Sequence, residues 1–227
     1  DGKRYGLYAN IGSPAEAEAA AAAGAEGVGL FRTEFLFMDR TSVPSETEQM
    51  EAYQAVSRTM AGKEVIIRTL DVGGDKAIDY LGMDKEENPF LGHRAIRYCL
   101  DRPDLYKVQL RALLRAGAEL RNIKIMLPLV TSLEEIRGAR ALLEQCKSEL
   151  EAEGLPYDKD ISLGIMVETP AAALIADLLA QESDFFSIGT NDLTQYVMAV
   201  DRGNAKVEKL YTTFHPAVLR SVRTVIQ

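Results

Sequence analysis

The stretch Ile161-Ser-Leu-Gly-Ile-Met-Val-Glu-Thr-Pro170 decides the fold, because it joins an apolar, β-prone run directly to the start of a helix. Residues 161–167 predict a strand that is apolar on both faces, as strands are when helices cover both sides of a sheet. Thr169 followed by Pro170 is the usual order of a helix N-cap and first helical residue. One carboxylate, Glu168, stands at the junction. The stretch therefore predicts a βα unit with an acid where the strand ends.

The same unit recurs along the chain. Further β-prone runs predict strands over residues 5–11, 27–31, 64–70, 123–130 and 184–188. Caps and helix-forming residues predict helices over residues 13–24, 45–61, 91–99, 103–119 and 132–153, after Pro170, after Asp192 and from Pro216. Strands that alternate with helices form a parallel sheet. A doubly wound open sheet and a TIM-type (β/α)8 barrel both fit, and the spacing does not choose between them.

Composition bounds the class of protein. Of the 227 residues, 47% are hydrophobic, which suits one folded domain over residues 1–227. The formal net charge of −8 argues against binding to nucleic acid or to an anionic membrane surface. No apolar run is long enough to be inserted in a membrane, and the first residues lack the apolar core of a secretion signal. Two distant cysteines, Cys99 and Cys146, suit a reducing compartment, so we expect a cytoplasmic location.

Polar side chains gather where the predicted strands end: Asn10, Arg32, Arg68, Asp71, Glu168, Asn191 and Asp192. In parallel α/β folds these ends share one face, where ligands bind, so we expect the side chains to converge. Arginines offer planar forks to phosphate and carboxylate oxygens. A pair of carboxylates suits Mg²⁺ or Mn²⁺, which complete their shells with water and substrate oxygens. The combination predicts a site for a small, doubly anionic substrate that chelates a metal.

Several long motifs carry a family resemblance. Two of them are Gly27-Val-Gly-Leu-Phe-Arg-Thr-Glu-Phe-Leu-Phe37 and Ser187-Ile-Gly-Thr-Asn-Asp-Leu-Thr-Gln-Tyr196, and the others span residues 68–76, 87–97, 166–171 and 199–204. Over its whole length the chain resembles the C-terminal phosphoenolpyruvate-binding domain of the enzyme I family of the phosphotransferase system. The resemblance implies a TIM-type (β/α)8 barrel of the phosphoenolpyruvate/pyruvate superfamily, of which this chain would hold about six strands. We expect two more strands and a catalytic Cys-Gly-Glu segment to follow it.

The resemblance also implies roles for individual residues. Glu168 and Asp192 would bind Mg²⁺ (or Mn²⁺), and Asn191 would contribute beside the metal. Arg68 and Arg32 would hold the transferring group and so take part in catalysis. The cationic, substrate-binding cage is expected to consist of Arg32, Arg68, Arg94, Arg202 and Lys76.

The function implied by the resemblance is transfer of a phosphoryl group from phosphoenolpyruvate to a histidine in a separate N-terminal domain. That histidine would then phosphorylate the carrier protein HPr, which starts sugar uptake. The family forms homodimers, and we expect the chain alone to release no pyruvate. The alternatives are a barrel of the pyruvate phosphate dikinase or phosphoenolpyruvate synthase type, and a non-catalytic module that senses phosphoenolpyruvate or dimerises. A nitrogen-related or fused multi-phosphoryl-transfer paralogue fits the same residues.

Overall fold

The computed structural model describes residues 2–74 and 78–227. The strands are β1 (Tyr8–Ile11), β2 (Gly27–Arg32), β3 (Val65–Arg68), β4 (Ile123–Leu127), β5 (Ser162–Val167) and β6 (Phe186–Ile188). The α-helices are α1 (Pro14–Ala22), α2 (Glu46–Thr59), α3 (Ile96–Asp101), α4 (Pro103–Gly117), α5 (Leu133–Ala152), α6 (Pro170–Leu174), α7 (Ala176–Leu179), α8 (Thr190–Met198) and α9 (Pro216–Ile226). Short 3₁₀ turns cover Thr33–Leu36, Asp79–Leu81, Pro89–Leu91 and Glu208–Leu210.

The order of the strands decides between the two fold classes that the sequence left open. In the described part of the chain, one sheet of six strands runs β1-β2-β3-β4-β5-β6, and every neighbouring pair is parallel. A doubly wound sheet reverses its strand order at a switch point, whereas a (β/α) barrel adds each strand on the same side of the last. The order never reverses here. The prediction of a TIM-type barrel with about six strands is therefore confirmed.

Local chemistry fixes the starts of the helices. The Ser45 hydroxyl accepts a hydrogen bond from the Glu48 N–H at 3.2 Å, and the Glu48 carboxylate accepts one from the Ser45 N–H at 2.8 Å. This capping box satisfies backbone donors in the first turn of α2. At α6 the Thr169 hydroxyl accepts from the Ala172 N–H at 3.1 Å, with Pro170 in the first helical position. The cap predicted at Thr169 is confirmed, and the Ser45 cap begins the helix predicted over residues 45–61.

The core lies between the sheet and the helices that cover it. Alternate residues of β3, Val65 and Ile67, are fully buried. Tyr53 of α2 and Leu110 of α4 are also fully buried, and the rings of Tyr53 and Phe31 (in β2) form a T-shaped pair with centroids 6.0 Å apart. Helices pack over the strands by burying large apolar side chains, which is the main favourable term in folding. The packed core holds the strand ends, and with them the polar residues, in fixed positions.

The helix predicted over residues 91–99 is wrong in its first half. The chain makes a 3₁₀ turn at Pro89–Leu91, and α3 begins only at Ile96. Ala95 has a positive φ of 53°, which no helix interior permits, and its N–H donates to the Val72 carbonyl at 3.1 Å. The backbone therefore turns at Ala95 to bond the segment after β3. The helix predicted after Pro170 also divides, at Ile175, into α6 and α7.

Both cysteines are buried free thiols. Burial, with a smaller contribution from Glu149, raises the pKa of the Cys146 thiol to about 12. None of the described helices is both long enough and apolar enough to cross a lipid bilayer.

Candidate functional site

A cleft of about 410 Å³ opens at the carboxyl ends of the strands. Its charged lining residues are Arg32, Arg68, Asp71, Arg94, Glu168, Asp192 and Arg202. Its uncharged polar lining residues are Asn10, Ser187, Thr190 and Asn191. The structure thus brings together every predicted site residue except Lys76, which lies outside the described residues. The convergence follows from topology, because the ends of parallel strands lie at one edge of the sheet.

Arg68 lines the cleft from the end of β3. It is the last residue of β3 and lies opposite Arg32 of β2 in the strand register. The Thr33 hydroxyl donates to the Arg68 carbonyl at 2.8 Å, which fixes the end of the strand. The buried guanidinium pairs with Glu34 at 2.9 Å and with Asp71 at 3.1 Å. Its buried Nε atom has no hydrogen-bond partner among the described residues.

Asp192 connects two further arginines of the cleft, Arg94 and Arg202. It lies in the first turn of α8 and is 6% exposed. One carboxylate oxygen accepts from Arg202 at 2.7 Å, and the other accepts from Arg94 at 3.3 Å. Arg94 also donates to Asp71 at 2.9 Å. Asp71 therefore joins Arg94 to Arg68, and a continuous chain of ion pairs crosses the cleft.

Glu168 is the most deeply buried acid among the cleft-lining residues. It follows β5, is 2% exposed, and accepts the Leu129 N–H at 2.7 Å. A Cβ added at Gly189 would lie 2.6 Å from its Oε2, so the carboxylate rests against the backbone where α8 begins. Burial raises the pKa of Glu168 above its usual range, Asp71 and Asp192 add to the rise, and Arg68 opposes it. A cation bound beside this carboxylate would favour its charged form.

Two other predicted residues lie at the rim of the cleft. The Arg32 guanidinium stacks over the Phe35 ring at 4.8 Å from its centroid. Phe35 follows it in the 3₁₀ turn after β2, so β2 and the turn together direct Arg32. Asn191 is exposed, and the Tyr211 hydroxyl donates to its backbone carbonyl at 3.0 Å. Both side chains lie where a ligand entering the cleft would meet them.

The charge balance of the site fits a bound divalent cation. Among the described residues, four arginines meet four carboxylates around the cleft: Arg32, Arg68, Arg94, Arg202, Glu34, Asp71, Glu168 and Asp192. With every one of these groups ionised, their formal charges cancel. A cation on the carboxylate oxygens would make the cleft positive. The described residues contain no cluster of three or more His, Cys, Asp or Glu side chains that could hold a metal ion.

The contacts of three residues were not foreseen from the sequence. Glu34 neutralises Arg68, while Phe90 and Tyr196 contact Arg94. Glu34 carried a usable signal, because a carboxylate inside the apolar stretch 27–37 requires a buried cation as partner. Phe90 and Tyr196 carried none, since an aromatic residue in a loop or helix is ordinarily assigned to the core.

The comparisons with known proteins agree over the whole chain. Residues 1–227 match the family model described as PEP-utilising enzyme, PEP-binding domain. The chain is 53% identical over 227 residues to the phosphoenolpyruvate-protein phosphotransferase of Staphylococcus carnosus (strain TM300), covering 100% of this chain and 39% of that protein. It is 52% identical over 226 residues to the protein of the same name from Haemophilus influenzae, with the same coverage of each. The chain spans about two fifths of the length of these relatives.

A solved structure shares the fold. A citrate lyase from Burkholderia xenovorans LB400 superposes with a TM-score of 0.52 at 18% identity, over 99% of this chain and 60% of that one. This likeness concerns the fold alone. The family model and the sequence relatives go further, and they show that the chain belongs to the family of PEP-utilising enzymes, as a PEP-binding domain.

Proposed function

We propose that the cleft binds phosphoenolpyruvate together with Mg²⁺ (or Mn²⁺). The observation that carries the proposal is the meeting of four arginines and two buried carboxylates, Glu168 and Asp192, in one cleft at the strand ends. Phosphoenolpyruvate carries a phosphate and a carboxylate, which are the groups that arginine forks bind best. Glu168 and Asp192 would hold the cation, which supplies charge neutralisation when bound.

The arginines would share the work of positioning. Arg68 and Arg32, neighbours in the sheet register, would hold the transferring phosphoryl group. Arg94 and Arg202 would turn from Asp192 toward the substrate once a cation occupies that carboxylate. Lys76 would be a further phosphate contact. Phosphoryl transfer depends on alignment and charge neutralisation more than on covalent help, so this set of side chains suffices for the barrel's part.

The whole protein would be a phosphoenolpyruvate–protein phosphotransferase, as the named relatives are. In that scheme the phosphoryl group passes to a histidine in an N-terminal domain and then to HPr, which starts sugar uptake. We further propose that the protein is cytoplasmic and forms a homodimer. The chain alone would hold the substrate without releasing pyruvate.

Isothermal titration calorimetry tests the site. We expect the chain to bind phosphoenolpyruvate at least about tenfold more tightly with Mg²⁺ than without it. The reason is that a cation held by Glu168 and Asp192 would add positive charge that attracts the anionic substrate. Glu168→Gln keeps an acceptor for the Leu129 N–H and removes the charge, so it should abolish the gain from Mg²⁺. Glu151→Gln, at an exposed position on α5, is the matched control and should behave as wild type. Affinity that needs no metal and survives Glu168→Gln would contradict the proposal.

A further inference from the structure

Two aromatic residues, Phe90 and Tyr196, contact arginines of the cleft. The Phe90 ring lies under two of them, 5.6 Å from the Arg94 guanidinium carbon and 5.8 Å from that of Arg202. The Tyr196 hydroxyl accepts a hydrogen bond from Arg94 at 3.1 Å and donates one to the Phe90 carbonyl. Tyr196 therefore links the Arg94 guanidinium to the turn Pro89–Leu91, which also carries the Phe90 ring.

Helix α8 presents Tyr196 on the same side as Asp192. The two residues are four positions apart, so their side chains lie one turn apart on one helix face. Both contact Arg94, at 3.1 Å and 3.3 Å respectively. Arg94 is thus held by two kinds of partner on one helix, a carboxylate and a neutral hydroxyl. The carboxylate is also a proposed metal ligand, whereas the hydroxyl is not.

We propose that Tyr196 is a positioning residue that keeps Arg94 aimed into the cleft when Asp192 is engaged by a cation. The inference rests on the proposed function. Asp192 now neutralises both Arg94 and Arg202, and a cation on that carboxylate would weaken both pairs. Arg94 would then keep its ion pair with Asp71, the Tyr196 hydroxyl and the Phe90 ring, none of which is a proposed metal ligand. Arg94 lines the cleft, so its guanidinium would stay within reach of the substrate.

The alternative is that Tyr196 only fastens α8 to the turn at Pro89–Leu91. Tyr98 provides a matched control for this role. Its hydroxyl donates to the Leu81 carbonyl at 3.0 Å and accepts from Arg102 at 3.4 Å, so it makes the same two kinds of bond away from the cleft. Loss of either hydroxyl should cost similar stability. A positioning role adds an effect on substrate that the Tyr98 variant does not share.

The test measures phosphoenolpyruvate affinity, Mn²⁺ affinity and thermal unfolding for Tyr196→Phe and Tyr98→Phe. We expect Tyr196→Phe to weaken binding of phosphoenolpyruvate in the presence of Mg²⁺ by about tenfold, since one hydrogen bond to a charged group is lost. Mn²⁺ affinity, followed by electron paramagnetic resonance without substrate, should stay within about twofold of wild type. Tyr98→Phe should leave both affinities unchanged. Equal phosphoenolpyruvate affinity in both variants would overturn the proposal.

A double-mutant cycle gives the second readout. If Tyr196 acts through Arg94, then Tyr196→Phe should cost almost nothing further in phosphoenolpyruvate affinity when Arg94→Gln is already present. Additive losses would show that Tyr196 acts by another route and would refute the positioning role. A wild-type chain that binds no phosphoenolpyruvate would instead refute the proposed function itself, together with this inference. The two failures are therefore distinguishable.

Discussion

Gly73 lies directly against Arg94, at a position that only glycine fits without strain. Its φ of +102° lies in the region that side chains other than glycine rarely adopt. A Cβ built at this position would lie 2.5 Å from the Cβ of Arg94. Any larger residue would therefore be strained in its own backbone and would push Arg94 away. A single hydrogen atom in place of a side chain lets two segments of the site come close.

Gly73→Ala is accordingly expected to damage both stability and binding. Gly24→Ala is the matched control, because Gly24 has a φ of +84° with nothing within 4 Å of the added Cβ. Both substitutions carry the backbone cost, and only the first carries the collision, worth about 1–3 kcal/mol of additional unfolding free energy. Urea unfolding measures the difference, and calorimetry should show weaker phosphoenolpyruvate binding only for Gly73→Ala. Equal stability of the two variants would mean that Arg94 can move away from the added methyl group with no loss of unfolding free energy.

At the scale of elements, α2 owes its start to the capping box of Ser45 and Glu48. Ser45→Ala removes the acceptor of the Glu48 N–H and should lower the unfolding free energy by about 1 kcal/mol. Ser42→Ala, at an exposed site just before the helix, is the control and should change little. Chemical denaturation of the two variants checks the prediction. A cost for Ser42→Ala as large as that for Ser45→Ala would contradict it.

The same box adds a pH dependence of known sign. Hydrogen bonds from Arg40 and from Ser45 lower the pKa of the Glu48 carboxyl to about 2. Because the pKa of Glu48 is lower in the folded state, the ionised carboxylate stabilises the fold above the ordinary pKa of a glutamate. This stabilisation is lost as the pH falls toward 2. The stability difference between wild type and Glu48→Gln should therefore shrink in acid. A difference that is constant from neutral pH to pH about 2 would contradict this account.

The elements were largely predictable because their signals are local. The β-branched run of β3 and the cap residues at Ser45 and Thr169 act within a few residues, and each produced the predicted element. The segment before α3 was not predictable, since Ala95 is held in its unusual conformation by the distant Val72 carbonyl. The convergence of the site residues followed from topology. The sequence indicates that Glu34 needs a buried cation, but it does not fix which arginine that is, because Arg68 is distant along the chain.

At the scale of the whole molecule, β1 and β6 lie at the two edges of the described sheet. Unpaired edges expose backbone donors and acceptors and invite pairing with another chain. We expect the chain to self-associate as its concentration rises, measured by sedimentation velocity. A single monomeric boundary at every concentration, with strong resistance to proteolysis, would contradict the expectation.

The exposed apolar side chains of the outer helices offer a competing cause of association. Leu174 of α6 is 79% exposed and Ile226 of α9 is 73% exposed. The double variant Leu174→Lys with Ile226→Lys separates the two causes, because it leaves the strand edges intact. We expect this variant to associate much as wild type does. Its conversion to a monomer would assign the association to the helix surface.

The sequential strand order also has a consequence for how the chain is made. Each strand pairs with the one synthesised just before it, so the sheet can grow unit by unit as the polypeptide leaves the ribosome. The cleft does not grow in this way, because Arg32 comes from the second strand and Asp192 from the last helix to line it. A nascent chain halted before α8 would have all six strands of the described sheet but would lack Asp192 and Arg202. Ligand binding would therefore begin only after α8 has been made, and it could not guide the pairing of the earlier strands.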